Sequence, residues 1–280
     1  MKKKVSVIGA GQMGSGIAQV FATAGYPVKI FDISDEILER ARNNILNSLE
    51  KLHSKNLISV TPKKILDRIT FENNFSALAG SQIFVESAFE DFSIKTKIFK
   101  QLSQILAPNC YVASNTSSYS ITALSKMTPY PDRFAGFHFM NPPALMELVE
   151  IIKGLYTSDE TFVFFKELSV RLGKTAIFSK NSPGFVLNRI LIPMINEAIF
   201  ALYEGVSTAE QIDTALKLGA NHPIGPLALA DLIGLDTVLA IMRTLHKEMG
   251  DEKYNPCPML ENYVARGLLG KKTKKGFYEY

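Results

Sequence analysis

A histidine and a carboxylate, twelve residues apart in apolar sequence, are the side chains best suited to chemistry in this chain. His138 lies in the segment GFHFMNPP at residues 136–143, and Glu150 follows it. Histidine has an unperturbed pKa of about 6.5 and can exchange a proton near neutrality, while a carboxylate on one ring nitrogen fixes the tautomer and stabilises the charged ring. The pair predicts a general acid/base with its orienting acid. A hydrogen-bonded structural histidine is the alternative that these two residues leave open.

A glycine loop provides the second chemical feature. The sequence GAGQMG at residues 9–14 lies between a predicted strand, Val5–Ile8, and a predicted helix, and Asp32 stands at the end of the second predicted strand. In this context a G-x-G-x-x-G pattern predicts dinucleotide binding, because the glycines permit a tight turn, close approach of a pyrophosphate and close helix packing. The predicted contacts are Gly9, Gly11, Gln12, Met13 and Gly14.

Asp32 is expected to accept hydrogen bonds from the adenosine ribose hydroxyls. Its negative charge would repel the extra phosphate of NADP, so the sequence predicts NAD as the cofactor. Two alternatives remain open from the motif alone: the loop could bind FAD, and Asp32 could cap the helix that follows it.

The composition limits the class of protein. The chain has 280 residues, 46% hydrophobic content and a formal charge of +4 from scattered basic residues, which predicts neither a nucleic-acid groove nor a membrane partner. No apolar run is long enough to span a bilayer, and no signal-peptide pattern follows the initial lysines. The two cysteines, Cys110 and Cys257, lack metal-ligand spacing, so we expect no metal and a reduced, cytoplasmic location.

The order of predicted elements indicates an α/β fold. Short β-rich runs alternate with helical stretches up to Ser182-Pro183-Gly184, and only helical patterns follow. We therefore predict a Rossmann-type, doubly wound, mostly parallel sheet at residues 1–183, followed by an all-helical C-terminal domain at 184–280. The predicted strands are Val5–Ile8, Val28–Phe31, Ile83–Glu86, Tyr111–Ser114 and Phe134–His138, with Leu148–Ile152 and Thr175–Phe178 as extensions. The longer predicted helices are Asp35–His53, Asp91–Leu106, Asp159–Arg171, Phe185–Tyr203, Thr208–Leu218, Pro226–Leu232 and Leu235–Met249.

Several ordered motifs together resemble one known family. They are GAGQMGSGIAQ at 9–19, VESAFE at 85–90, SNTSS at 114–118, HFMNP at 138–142, LVEII at 148–152, SPGFVLNR at 182–189 and GPLALADLIGLD at 225–236. Over nearly its whole length the chain resembles the L-3-hydroxyacyl-CoA dehydrogenase family, and within it the 3-hydroxybutyryl-CoA dehydrogenases. The resemblance implies NAD-dependent, reversible oxidation of a (S)-3-hydroxyacyl-CoA to the 3-oxoacyl-CoA.

The resemblance also implies roles for individual residues. His138 would be the acid/base, Glu150 would hold it, and Ser117 and Asn188 would contact the reacting substrate as further catalytic residues. From the residues alone, Ser117 could equally cap a turn, and Asn188 could make a structural hydrogen bond. The helical domain would complete a substrate cleft and form a homodimer.

Further contacts follow from the same resemblance. Four residues would lie near the nicotinamide half of the cofactor: Glu90, Lys95, Asn115 and Asn141. Without the family, Glu90 and Lys95 are typical of a helix N-terminus and an exposed helical face, and Asn141 of an Asn-Pro turn. Ser48 and Lys55 would contact CoA, although charged residues at this spacing are also typical of a solvated face.

The chain departs from the family pattern at two places. Pro143-Ala144 stands where another residue and then a proline are common, and Lys274 stands where glycine is common. Lysine is unfavourable at that position if the backbone there has a positive φ. Both departures leave the acyl specificity open, including a substrate carried by an acyl carrier protein instead of CoA. Because similar scaffolds serve several functions, a dehydrogenase of free hydroxyacids and a non-catalytic nucleotide-binding protein with the same fold also stay open.

Overall fold

The computed structural model describes residues 2–280 and contains two compact units, which we call the sheet unit (Met1–Ser182) and the helical unit (Pro183–Tyr280). The strands are β1 Val5–Ile8, β2 Val28–Phe31, β3 Ile69–Glu72, β4 Ile83–Glu86, β5 Tyr111–Ser114, β6 Phe134–Phe139, β7 Leu148–Lys153 and β8 Thr175–Lys180. The helices of the sheet unit are α1 Gln12–Thr23, α2 Asp35–Ser54, α3 Pro62–Leu66, α4 Phe92–Leu102, α5 Ile121–Ser125 and α6 Asp159–Arg171.

One sheet organises the first unit. Its strand order is β3-β2-β1-β4-β5-β6-β7-β8, and neighbouring strands are parallel except for the antiparallel pair β6–β7. The order 3-2-1-4-5-6 is that of doubly wound dinucleotide-binding folds, in which ligands bind beyond the carboxyl ends of the strands. This confirms the predicted fold class. The glycine loop, the SNTSS turn and residue 139 all lie at that edge.

The strands of this sheet are buried on both faces, as their apolar composition predicts. Every residue of β1, β4, β5 and β6 is buried. In β6, Phe137 and Phe139 belong to the main apolar core, together with Val149 and Ile151 of β7. Because side chains alternate along a strand, His138 and Glu150 point to the opposite face of the sheet.

The helical unit packs around its own apolar core. Its helices are α7 Leu187–Tyr203, α8 Ala209–Gly219, α9 Pro226–Ile233, α10 Leu235–Met249 and α11 Pro258–Ala265. Buried residues from α7, α9, α10 and α11 form one cluster, which includes Ile195, Leu227, Met242 and Leu260. The helical texture predicted after residue 184 is thereby confirmed.

Two predicted helix bounds were wrong. The helix predicted from Phe185 begins at Leu187, because Gly184 and Phe185 have φ values of 71° and 50°, in the left-handed region. The helix predicted over Asp91–Leu106 covers Phe92–Leu102, with the Asp91 side chain accepting from Ile94 N as its N-cap.

Two buried carboxylates in the helical unit hold the end of the chain. Asp231 accepts from the backbone N–H groups of Phe277 (3.0 Å) and Tyr278 (2.9 Å) and from the Tyr280 hydroxyl (3.1 Å). Asp213 accepts from the Tyr278 hydroxyl at 2.8 Å. Burial, followed by the charge of Asp231, raises the pKa of Tyr280 to about 12, and burial with the bond to Asp213 also raises the pKa of Tyr278.

These phenols predict an alkaline loss of stability. Because the folded pKa of each phenol lies above the unfolded value of 10.0, the stabilisation is complete below pH 10 and is lost as the pH rises above that value. We expect Tyr278→Phe to melt at a lower temperature than the wild type near neutrality but to lose less stability across this alkaline interval. Thermal unfolding at a series of pH values measures both. Parallel decreases for the two proteins would contradict the role of the Tyr278 proton.

Candidate active site

His138 and Glu150 form a cross-strand pair on the antiparallel strands β6 and β7. The register places them opposite each other, and His138 Nδ1 lies 2.8 Å from Glu150 Oε2. Glu150 is fully buried, and His138 is 8% exposed. Since an ionised carboxylate only accepts, Nδ1–H is the donor, and Nε2 is the nitrogen that would exchange a proton with a substrate. This geometry is compatible with the predicted role of an acid/base with an orienting carboxylate.

Ser117 lies in the turn that follows β5, and this turn is held by Glu90. Glu90 Oε1 accepts from Thr116 Oγ1 (2.5 Å), Ser117 N (3.0 Å) and Ser118 Oγ (2.9 Å). Burial alone would raise the pKa of Glu90, but Lys95 and the hydroxyl donors outweigh burial and lower it. Glu90 is therefore ionised at neutral pH and fixes the backbone that carries Ser117.

Lys95 is buried. Without the family resemblance, the sequence predicted an exposed helical lysine at this position, and that prediction was wrong. Its side chain is 1% exposed, and Nζ contacts Glu86 Oε1 at 2.7 Å and Glu90 Oε2 at 3.1 Å. Burial lowers the pKa of a lysine, but here the two carboxylates outweigh burial and raise it. A buried charge of this kind is costly unless it is paired, and both partners are present.

Two asparagines connect loops at the carboxyl edge of the sheet. Asn115 Oδ1 accepts from Phe139 N at 2.8 Å, which joins the turn after β5 to the end of β6. Asn141 precedes a cis peptide bond to Pro142, and its Oδ1 accepts from Gln12 Nε2 at 3.2 Å. The loop after His138 is thereby linked to the glycine loop.

The glycine loop has the geometry that a dinucleotide requires. Gly11 is the N-cap of α1 and makes no side-chain cap, and a Cβ placed on it would meet no atom within 4 Å, so a pyrophosphate could approach the backbone. Asp32 Oδ2 accepts from Ala10 N at 2.9 Å and Oδ1 from Ser34 N at 3.3 Å, which leaves acceptor capacity for ribose hydroxyls. Ser34, not Asp32, caps α2, so the alternative role of Asp32 was wrong.

A cavity of about 610 Å³ lies between α1, α2 and the loop after His138. Its walls include Gly11, Arg40, Ser48, Asn141 and Pro143. Ser48 thus belongs to the same cavity as the glycine loop, whereas Lys55 is an exposed residue just after α2 and is not part of the wall. Asn188 is the second residue of α7 in the helical unit and is half-buried there.

Two residues of the sheet unit have structural roles near the site that were not predicted from the sequence. Lys174 Nζ donates to the carbonyl oxygens of Pro143 and Met146, both at 2.7 Å, and so holds the loop that contains Pro143-Ala144. A lysine in a turn gives no signal of this role. Glu86 is fully buried at the end of β4, and a carboxylate in the apolar run IFVE was a signal that could have found it.

Comparison with known proteins agrees with this geometry. The model of the 3-hydroxyacyl-CoA dehydrogenase NAD-binding domain matches residues 4–182, and the model of the C-terminal domain of the same family matches residues 184–280. The chain belongs to the 3-hydroxyacyl-CoA dehydrogenase family. A 3-hydroxybutyryl-CoA dehydrogenase of Bradyrhizobium diazoefficiens is 51% identical over 99% of this chain and 95% of the relative. The human mitochondrial hydroxyacyl-coenzyme A dehydrogenase is 40% identical over 99% of this chain and 91% of its own length.

Solved structures lead to the same family. The crystal structure of (S)-3-hydroxybutyryl-CoA dehydrogenase from Ralstonia eutropha superposes with a TM-score of 0.95 at 47% identity and covers 100% of this chain and 99% of the other. As a 3-hydroxyacyl-CoA dehydrogenase, the chain is an oxidoreductase that uses NAD to oxidise a 3-hydroxyacyl-CoA. No helix within residues 2–280 is long and apolar enough to cross a membrane, and no group of three possible metal ligands occurs in that range.

Proposed function

We propose that this 3-hydroxyacyl-CoA dehydrogenase acts on short-chain (S)-3-hydroxyacyl-CoA, such as 3-hydroxybutyryl-CoA, with His138 and Glu150 as its acid/base pair. The observation that carries the proposal is the 2.8 Å contact between His138 Nδ1 and the fully buried Glu150 carboxylate. The names of its relatives support the short acyl chain, since several of them are 3-hydroxybutyryl-CoA dehydrogenases.

In the oxidation, His138 Nε2 removes the proton of the substrate hydroxyl. NAD, when bound, would accept the hydride from the substrate carbon that carries this hydroxyl. Glu150 stabilises the imidazolium that forms, and in the reverse direction the imidazolium returns the proton to the developing alkoxide. Proton transfer by a positioned group of this kind typically contributes about 10²- to 10⁴-fold to the rate. Ser117 and Asn188 act as hydrogen-bond partners of the substrate oxygens.

The chain's own residues divide the remaining binding roles. Gly11, Gln12 and Met13 present backbone N–H groups to the pyrophosphate at the start of α1. Gly9, whose N–H donates to Phe31 O, permits the tight turn, and Gly14 permits the close packing of α1. The adenosine ribose is bound by Asp32, and the nicotinamide half by the set Glu90, Lys95, Asn115 and Asn141. Ser48 and Lys55 contact CoA, a role supported for Ser48 by its position in the wall of the 610 Å³ cavity.

Two further parts of the proposal concern the protein in the cell. We place the enzyme in the cytoplasm and describe it as a homodimer formed through its helical unit. Bacterial relatives named as dehydrogenases support the location, although relatives named as mitochondrial also match the chain. Light scattering coupled to size exclusion measures the mass of the assembly directly.

Steady-state rates on 3-hydroxyacyl-CoA esters from C4 to C16, each with NAD and with NADP, test the substrate and the cofactor together. We expect the highest kcat/KM for the shortest ester, in line with the names of the relatives. We expect NAD to be preferred over NADP, because the charge of Asp32 repels the 2′-phosphate of NADP. The matched substrate control is free 3-hydroxybutyrate. Comparable turnover of the free acid would support the hydroxyacid alternative, and equal efficiencies with NAD and NADP would remove the role given to Asp32.

A further inference from the structure

Glu86 connects three parts of the sheet unit although it is itself remote from solvent. It is the last residue of β4, it is 0% exposed, and all three of its partners are donors. Oε1 accepts from Lys95 Nζ at 2.7 Å and from Ala88 N at 2.8 Å, and Oε2 accepts from Ser114 Oγ at 2.5 Å. The register of β4 with β5 sets Ser114 directly opposite Glu86. A charge buried in this way is stable only because its oxygens are occupied by fixed donors.

The first branch from Glu86 leads to the turn that carries Ser117. Lys95 bridges Glu86 and Glu90, with Nζ to Oε distances of 2.7 and 3.1 Å. Glu90 in turn accepts from Thr116, Ser117 and Ser118. The orientation of Glu90 therefore depends on where Lys95 is held, and Glu86 is the fully buried anchor of that lysine.

The second branch leads to the glycine loop. The bond from Ala88 N to Glu86 fixes the backbone at residues 87 and 88, against which Gly9 packs. A Cβ on Gly9 would lie 2.6 Å from Ser87 O and 2.8 Å from Ala88 N. A shift of this backbone would thus displace the loop that receives the pyrophosphate.

We propose that Glu86 is a positioning residue for the cofactor site, which acts through Lys95 and Glu90 on the Ser117 turn and through Ala88 on the glycine loop. This inference rests on the proposed function, because that function gives Glu90, Lys95 and Ser117 their roles. Glu86 itself does not contact the reacting atoms. Its charge matters because an amide at this position would present an N–H₂ donor to partners that are themselves donors.

A double-mutant cycle on NADH affinity tests the proposal. We expect Glu86→Gln and Glu90→Gln each to raise the NADH dissociation constant about tenfold, and the double variant to raise it by clearly less than the product of the two, because the two carboxylates share Lys95 whereas only Glu86 also holds Ala88. Ser6→Ala is the matched control. Ser6 is a buried residue of β1 whose hydroxyl lies 2.8 Å from that of Ser81, so its removal lowers the melting temperature without changing NADH affinity.

Two outcomes overturn the inference. One is a Glu86→Gln variant that keeps wild-type NADH affinity, as the Ser6→Ala control does, and the other is an effect on affinity that multiplies fully with that of Glu90→Gln. If Glu86→Gln does not fold, Ser114→Ala removes the donor to Oε2 together with the acceptor of Thr116 N, and we expect a weaker affinity in the wild-type background and a smaller further loss in the Glu90→Gln background.

Turnover separates this inference from the proposed function. A wild-type protein that binds NADH but oxidises no 3-hydroxyacyl-CoA refutes the proposed function, while the affinity cycle still decides the role of Glu86. If turnover is present, we expect Glu86→Gln to raise KM for NAD more than it lowers kcat, since Glu86 acts on the cofactor site and leaves the His138–Glu150 pair in place.

Discussion

The variant His138→Ala is expected to oxidise 3-hydroxybutyryl-CoA about 10²- to 10⁴-fold more slowly than the wild type, with NADH affinity unchanged. The imidazole is the group proposed to accept the hydroxyl proton, and a buried carboxylate lies 2.8 Å from its Nδ1. Alanine removes the acceptor without adding bulk. The rate of NADH formation, followed by absorbance, gives kcat, and NADH titration confirms that the cofactor site is intact.

Glu150→Gln is the matched variant for this prediction. The glutamine carbonyl can still accept from His138 Nδ1–H, so the ring keeps its orientation, but the charge that stabilises the imidazolium is lost. We expect kcat to fall by less than in His138→Ala. If a folded His138→Ala protein keeps near-wild-type turnover, another group transfers the proton and the assignment of the base is wrong.

The sheet unit was largely predictable because its signals are local. Apolar runs such as Val5–Ile8 and Ile83–Glu86 have strand length, and the helices between them have 3.6-residue periodicity, so both types of element follow from the side chains. The carboxyl edge of a parallel sheet then brings the glycine loop, the SNTSS turn and the end of β6 together. The edge strand Ile69–Glu72 was not predicted, because two of its four residues are charged or hydroxylated and only Ile69 is buried.

The parts that the sequence did not reveal depend on tertiary contacts. A lysine on a helix is exposed far more often than buried, and only the convergence of Glu86 and Glu90 makes the buried position of Lys95 possible. The antiparallel direction of β7 likewise depends on the course of the loop at residues 140–147. This direction places Glu150 opposite His138 in the register of the two strands. The sequence therefore predicted which two residues pair, but not the strand geometry that brings them together.

At Lys274, the predicted energetic cost depended on a backbone angle that the sequence does not reveal. The sequence indicated only that a lysine at a position where glycine is common would be unfavourable if the backbone there had a positive φ. The residue has φ 63° and ends a short helical turn, in the left-handed region. A non-glycine residue in that region typically costs about 1–2 kcal/mol, which neighbouring contacts of the C-terminal segment must offset.

The second large effect is expected in the glycine loop, where Gly14→Ala and Gly11→Ala should both weaken NADH binding but for different physical reasons. A Cβ on Gly14 would lie 1.8 Å from the carbonyl oxygen of Gly9, which is backbone and cannot move without reshaping the loop. Gly14→Ala should therefore lower the melting temperature strongly and abolish measurable NADH binding. The close approach of α1 to the backbone of Gly9 requires hydrogen at this position.

Gly11→Ala is the counterpart that separates folding from binding. A Cβ there meets no atom within 4 Å, and φ is −66°, so alanine fits the backbone without strain. We expect a melting temperature near that of the wild type but a large loss of NADH affinity, because the methyl group occupies the space through which a pyrophosphate approaches the start of α1. Thermal unfolding and NADH titration on both variants make the comparison. Wild-type affinity in Gly11→Ala would show that the pyrophosphate does not approach this part of the backbone, whatever happens in Gly14→Ala.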